Sequence, residues 1–190
     1  MRQRLIRLML LGVFLDVGCT VSQFAAVQRA TQPYSISGSF DLTKVWRIAV
    51  LPPTADVAGA DDVVEHAALQ LMKVPKFVVV DRSEVSRILQ EQQLSYSGVV
   101  DPATAARLGK LLGASAVMTI RIGNVRHDDF FSDSPDQRDA EVFVKIIAVE
   151  TAEVLYSAQG QASSFEGAAD ALRGAVTMAL LPLMERGSGR

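Results

Sequence analysis

The chain has 190 residues, 49% of them hydrophobic and 21% charged, with a formal net charge of −2 at pH 7. This balance is typical of a globular protein and excludes a chain too polar to form a core. With no excess of basic residues and only 6% aromatic residues, the composition also excludes the usual footprint of a nucleic-acid-binding protein. Cys19 is the sole cysteine, so no internal disulfide can form.

The amino terminus has the pattern of a secretory signal. Three arginines within the first seven residues precede an apolar segment from Leu8 to Leu15. A basic start followed by a short apolar segment predicts a signal peptide over residues 1–18. The segment is shorter than the roughly 20 residues that a membrane-spanning helix needs.

The predicted signal ends at Gly18 and Cys19, a pair that resembles the lipobox of bacterial lipoproteins. The resemblance implies cleavage after Gly18, a diacylglycerol on the sulfur of Cys19, and an acyl chain such as palmitate on the new amine. Asp16 departs from the apolar residue that usually stands three places before the cysteine. Thr20, in place of an aspartate, implies sorting to the outer membrane. An ordinary cleaved signal and an uncleaved anchor are the alternatives.

The rest of the chain divides into a tether and a folded domain. Residues 19–43 carry few periodic apolar positions, which predicts the lipidated cysteine followed by a flexible tether. The domain is predicted over residues 44–190, where the apolar spacing alternates between strand and helix periods. The predicted elements are strand 45–51, helix 61–72, strand 77–81, a helix after Ser83, a helix from Asp101 to Gly113, strand 116–125, strand 141–149, strand 154–162 and helix 166–185.

Local signals mark several ends of these helices. Ser83 and Asp101 are the predicted N-caps, and Pro102 suits the first position of a helix. Gly113 suits a left-handed position after the helix that precedes it. Pro182 is expected to kink or shorten the last helix.

The order of the elements predicts an α/β fold. Early strands connected through helices should be mutually parallel, whereas the turn at Glu150–Glu153 joins the last two strands into an antiparallel hairpin. The predicted architecture is a single three-layer domain whose mixed β-sheet is flanked by helices.

Residues that could carry chemistry are few and scattered. His66 lies in a helix, which favours a surface or interface role over catalysis. His127 stands beside several aspartates, where a divalent-cation loop is the alternative to a solvated acidic loop. Asp81 and Arg82 end a central strand, a common place for ligands in α/β folds, although such a pair also serves to cap helices. No phosphate-binding loop or nucleophile elbow occurs, so no catalytic, cofactor or metal residue is predicted and the chain is not expected to be an enzyme.

Four stretches between residues 46 and 162 carry a family resemblance: WRIAVLPP, KFVVVDRSEVSRILQEQQLSYSGVVD, AARLGKLLGASAVMTIRIG and VKIIAVETAEVLYSAQGQ. They resemble, in the same order, the family named for the curli secretion channel CsgG, which includes periplasm-facing lipoproteins. Ala152 replaces a glycine that is usual at the hairpin turn of that family, which implies a looser turn or one of another type.

The resemblance implies an α/β domain held at the outer membrane by lipidated Cys19, facing the periplasm and acting through protein–protein contacts. In the channel, two transmembrane hairpins follow the strands that correspond here to those ending near Val125 and Ala162. The first place holds only the acidic segment Arg126–Arg138 and the second leads directly into the last helix, so neither offers about 20 residues of alternating pattern. The expected protein is a short form without these hairpins.

The expected function is that of an adaptor, assembly or regulatory factor in envelope assembly, secretion or cell-wall synthesis. Self-association stays open, and neither a cofactor nor nucleic acid is expected as a partner. A subunit of a curli-type secretion channel is the alternative, followed by a small-ligand-binding envelope protein.

Overall fold

The computed structural model describes residues 32–53, 59–92, 101–127 and 138–188, and the folded unit begins at Pro33. Six strands and four helices occur in the described ranges. In chain order they are β1 (Tyr34–Ile36), β2 (Trp46–Val50), α1 (Ala60–Leu71), β3 (Phe77–Val79), α2 (Arg82–Glu91), α3 (Pro102–Leu111), β4 (Ala116–His127), β5 (Arg138–Ala148), β6 (Val154–Ser164) and α4 (Ala168–Gly187).

The strands form one open sheet in the order β1-β6-β5-β4-β2-β3. β2 pairs in parallel with β3 and with β4, because helices return the chain to the same end of the sheet before each new strand begins. β4, β5 and β6 pair successively as antiparallel neighbours, and β1 adds to the outer edge of β6 in the antiparallel sense. The predicted α/β fold with a mixed sheet is therefore confirmed.

Helices cover the two faces of the sheet with separate apolar cores. One core joins alternate strand residues such as Ile48, Met118 and Val144 to α1 and α4. The other joins Val117 and Ile147 to α2 and α3. Because successive side chains of a strand point to opposite faces, the neighbours Val117 and Met118 fall into different cores. The sheet is the middle layer of three, as predicted.

Local sequence signals start α2 and α3. Asp81 caps α2 by accepting a hydrogen bond from the backbone N–H of Ser83 at 2.8 Å, so the prediction of Ser83 as the cap is wrong by two positions. Asp101 caps α3 through the backbone N–H of Thr104 at 3.0 Å, and Pro102 opens the helix, as predicted.

Two residues at chain reversals have left-handed backbones. Gly113, just after α3, has a φ of 59°, as predicted for this glycine. Ala152, in the turn between β5 and β6, has a φ of 57°, and its N–H donates to the carbonyl of Ala148 at 2.9 Å. The turn therefore holds an alanine in the backbone conformation that favours glycine.

The last helix passes through Pro182 and ends at Gly187, so the proline does not shorten it. The flanking residues Leu180 and Leu183 are fully buried against the sheet, and this packing holds the helix on both sides of the proline. In the turn before the proline, the carbonyl of Ala179 accepts a hydrogen bond from the buried hydroxyl of Tyr156 at 2.5 Å. Packing around the helix offsets the helix-breaking tendency of proline.

The folded domain begins earlier than predicted, at Pro33, so residues 33–43 belong to the domain and not to the predicted flexible tether. β1 pairs Tyr34 with Ala158 and Ile36 with Tyr156 on the neighbouring strand. Phe40 is buried, with its ring 5.1 Å from that of Trp46 in an edge-to-face arrangement. Three residues are too few to show a strand period, and the sequence pattern therefore missed β1.

Candidate functional site

The predicted cleavage residue Gly18 and lipidation residue Cys19 lie outside the residues that the structure describes. The same holds for the signal peptide and for the tether as far as residue 31. His127 is the last residue of β4, and the acidic segment after it, from Asp128 to Asp136, also lies outside the described ranges. No group of three or more potential metal-binding side chains occurs within those ranges.

Asp81 and Arg82, at the end of β3, take part in contacts within the domain. The carboxylate of Asp81 accepts hydrogen bonds from the backbone N–H and the hydroxyl of Ser83, and these bonds hold the pKa of Asp81 below its usual value. The guanidinium of Arg82 forms an ion pair with Asp61, next to the start of α1. Of the two interpretations of this pair, the structure supports helix capping and ion pairing.

His66 lies half-buried between α1 and α4. Its Nε2 is 2.7 Å from the hydroxyl of Thr177 on α4 and 2.9 Å from the side-chain amide of Gln70. Burial lowers the pKa of His66 below its ordinary 6.5, and the nearby cations Lys73 and Arg173 lower it further. His66 is thus a polar contact between two packed helices, at a position where the sequence predicts a surface or interface residue.

A polar clamp fastens the amino-terminal segment to the β5–β6 turn. The hydroxyls of Ser37 and Ser39 both donate to the carboxylate of Glu153, at 2.6 and 2.7 Å. The bond from Ser37 is the larger cause, and that from Ser39 the smaller, of a pKa of Glu153 below its usual value. The backbone N–H of Gln159 also donates to the carbonyl of Pro33 at 3.0 Å. The chain therefore enters the sheet at a fixed point, a feature that sequence reasoning missed because its partners are more than 110 positions apart.

The second face of the sheet is covered by helices only in part. α2 and α3 cover β2, β3 and the adjoining ends of β4 and β5, whereas the described side chains on the rest of this face are mostly polar, with Phe143 among them. There Arg121 lies over the ring of Phe143, with its guanidinium carbon 3.9 Å from the ring centroid. Glu141 accepts hydrogen bonds from the side-chain amides of Gln159 and Gln161. This polar half-face is ordered by side-chain contacts along neighbouring strands.

Taken together, these features describe a mixed α/β domain whose amino-terminal segment is an integral part of its sheet. The described polar side chains cap helices, form ion pairs and connect neighbouring elements. β6 connects to α4 through residues 165–167 alone, as the sequence indicated for the second hairpin position. Among the described helices, none combines the length and apolarity required to cross a bilayer.

Comparison with known proteins places the chain in a family. The family model for the curli production assembly/transport component CsgG matches residues 40–178, so the chain belongs to the CsgG family. The predicted resemblance is thereby confirmed. No curated protein sequence matches this chain significantly.

Solved structures with the same fold include two with nearly complete coverage of the matched protein. The first is a PelC dodecamer from Paraburkholderia phytofirmans, 12% identical, covering 81% of this chain and 96% of PelC with a TM-score of 0.54. The second is the lipoprotein GNA1162 from Neisseria meningitidis, 16% identical, covering 74% of this chain and 99% of GNA1162 with a TM-score of 0.56. At these identities the likeness establishes the fold.

Proposed function

We propose that this protein is a lipid-anchored envelope lipoprotein, attached to the outer membrane through Cys19 and facing the periplasm. The observation that carries the proposal is membership of the CsgG family combined with the Gly18-Cys19 pair at the end of a signal-like segment. The described contacts serve capping and packing, which fits a domain that acts by binding other proteins. Its role is that of an adaptor or assembly factor for envelope machinery.

The position of Pro33 limits where such a partner can lie. Pro33, the first residue of the folded unit, stands 14 positions after Cys19, with 13 residues between them. A chain of that length spans at most about 50 Å when fully extended. The distance from the membrane to the partner's binding surface can therefore be at most the length of this segment plus the diameter of the domain.

The clamp on Glu153 supports this arrangement. Ser37 and Ser39 bind the β5–β6 turn, and Phe40 is buried in the core. Force applied through the amino-terminal segment would therefore act directly on the sheet. The domain would thus be presented to a partner from a fixed attachment point.

The lipid anchor can be tested with the native cysteine. The mature protein should carry Cys19 as its first residue with three acyl chains, measured by mass spectrometry of the purified protein, and maturation should be blocked by globomycin. Cys19→Ser should move the protein out of the membrane fraction, whereas Thr20→Ser, one position further, should leave it there. Equal membrane association of Cys19→Ser and the wild type would show that the anchor is not a lipid on this residue.

A further inference from the structure

A polar cluster lies in the contact between α1 and α4. It consists of His66 and Gln70, one turn apart on α1, and of Thr177 on α4. Both helices are described over their whole length, and Gln70 is the only polar residue among their buried positions. A buried polar group needs a hydrogen-bond partner, because it loses its bonds to water when it is buried. The donors and acceptors of this cluster must therefore match one another.

Lys73 sets the orientation of the Gln70 amide. The ammonium of Lys73 donates to Gln70 Oε1 at 2.7 Å. An ammonium group can only donate hydrogen bonds, so the atom that it meets must be the amide oxygen. The amide nitrogen of Gln70 is thereby turned toward His66 Nε2, at 2.9 Å, and toward the hydroxyl of Thr177, at 3.2 Å.

With the amide in this orientation, His66 Nε2 has to accept a hydrogen bond. The amide nitrogen of Gln70 can only donate, so its contact with Nε2 is a hydrogen bond only if Nε2 carries no hydrogen. The Thr177 hydroxyl has one hydrogen, which it can donate to Nε2 at 2.7 Å or to the carbonyl of Arg173 at 3.0 Å. Neither use requires a hydrogen on Nε2. The cluster therefore selects the neutral imidazole with its hydrogen on Nδ1.

The charged groups around His66 also favour the neutral ring. Burial is the largest cause of the lowered pKa of His66, followed by the cations Lys73 and Arg173, whereas Asp170 acts in the opposite direction. Arg173 engages the nearby carboxylates, at 2.9 Å from Asp170 and 3.7 Å from Asp62. Within the described ranges no carboxylate forms an ion pair with His66. A proton on the ring therefore gains no ion pair in compensation.

We propose that the contact between α1 and α4 is a pH-sensitive switch, in which protonation of His66 turns the Gln70 amide over and releases Lys73. A hydrogen on His66 Nε2 points at the amide hydrogens of Gln70, and two donors repel each other. When the amide turns over, Oε1 lies beside His66 and accepts the new hydrogen. The same movement directs the amide hydrogens at the ammonium of Lys73. Lys73 is exposed, so its ammonium exchanges the lost bond for water.

Proton uptake thereby changes the outer surface between α1 and α4. This surface gains the positive charge of His66, and Lys73 is no longer held on Gln70. Since burial and nearby cations lower the pKa of His66, the change takes place below its ordinary value of 6.5. Acidic surroundings would thus alter a surface that a partner protein can meet. The inference concerns the folded domain alone and does not depend on a lipid at Cys19.

Nuclear magnetic resonance of the isotopically labelled full chain in detergent, across pH 5–8, tests the switch. His127→Gln is the starting protein, because it leaves His66 as its only histidine. At the upper end of this range the ring should carry its hydrogen on Nδ1. As the pH falls, the ring signals of His66, the side-chain amide signals of Gln70 and the side-chain signals of Lys73 should shift with one common midpoint.

Two lysine variants separate the switch from a simple change of charge. In Lys73→Met the Gln70 amide is no longer held, so the neutral ring should also carry its hydrogen on Nε2, and His66 should bind a proton several-fold more tightly. Lys76→Met removes the same charge from another exposed lysine and should change neither property.

Four results would overturn the proposal. They are a neutral ring with its hydrogen on Nε2 in the starting protein, a ring that stays neutral across the whole range, Gln70 amide signals that do not follow His66, and equal effects of Lys73→Met and Lys76→Met. The first three are measured without any change in the cluster, so they decide the question even if Lys73→Met does not fold.

Discussion

Replacing Ala152 with glycine should stabilise the domain. Ala152 has a φ of 57°, a left-handed conformation that costs an alanine about 1–2 kcal/mol and costs glycine almost nothing. Glycine also makes the unfolded chain more flexible, which takes back about 0.4–1 kcal/mol. The free energy of unfolding should therefore rise by roughly 0.5–1 kcal/mol, equivalent to about 1–4 °C in the melting temperature of a domain of this size.

Gly113 offers a matched control with the opposite sign. Its φ of 59° is nearly the same, and a Cβ added there would meet no atom within 4 Å. Gly113→Ala should therefore destabilise by roughly 0.5–1 kcal/mol, because the backbone strain exceeds what the stiffer unfolded chain gives back. Gly38 has equal space and no positive φ, so Gly38→Ala should have little effect or stabilise slightly.

Chemical denaturation of all three variants checks the reasoning. The expected order of stability is Ala152→Gly above the wild type, and the wild type above Gly113→Ala. If Ala152→Gly were less stable than the wild type while Gly113→Ala behaved as expected, the turn would not hold Ala152 in a left-handed conformation, and the argument for this residue would fail.

Three further predictions concern the α4 layer. Gly160→Ala should destabilise by more than about 2 kcal/mol in urea denaturation, because its Cβ would lie 1.9 Å from the carbonyl of Ala175. Tyr156→Phe should cost about 0.5–1.5 kcal/mol by the same assay, because it removes the hydrogen bond that the buried hydroxyl donates to the Ala179 carbonyl. The pKa of His66 is lowered in the fold, so the free energy of unfolding should fall as the pH drops below 6.5, measured by unfolding across pH 5–8.

Each of these has a control. Tyr34 is exposed at the edge of the sheet, so Tyr34→Phe should change stability less than Tyr156→Phe does. In His66→Gln the free energy of unfolding should depend less on pH below 6.5 than in the wild type. If the dependence on pH were the same in both, the role assigned to His66 would be wrong. A Gly160→Ala variant as stable as Gly38→Ala would show that β6 and α4 do not approach as closely as described.

Much of the fold follows from local patterns. The alternating run from Val142 to Ala148 indicates a strand because one face of the sheet repeats every two residues, and Asp101-Pro102 marks a helix start through its own chemistry. The family membership follows from stretches within the same region. By contrast, the sequence predicts Ser83 as the cap of α2 where the structure has Asp81, because both residue types suit the position and backbone geometry decides between them.

The chain by itself thus determined the class of fold, the order of most elements, the family, and the expectation of a lipid on Cys19. Tertiary structure decided where the domain begins, because β1 is a strand only through its pairing with β6. It also decided that α4 continues past Pro182, since packing around the helix outweighs a local preference. It also decided that α1 and α3 lie on opposite faces, because neighbouring residues of the strands between them point to opposite sides of the sheet.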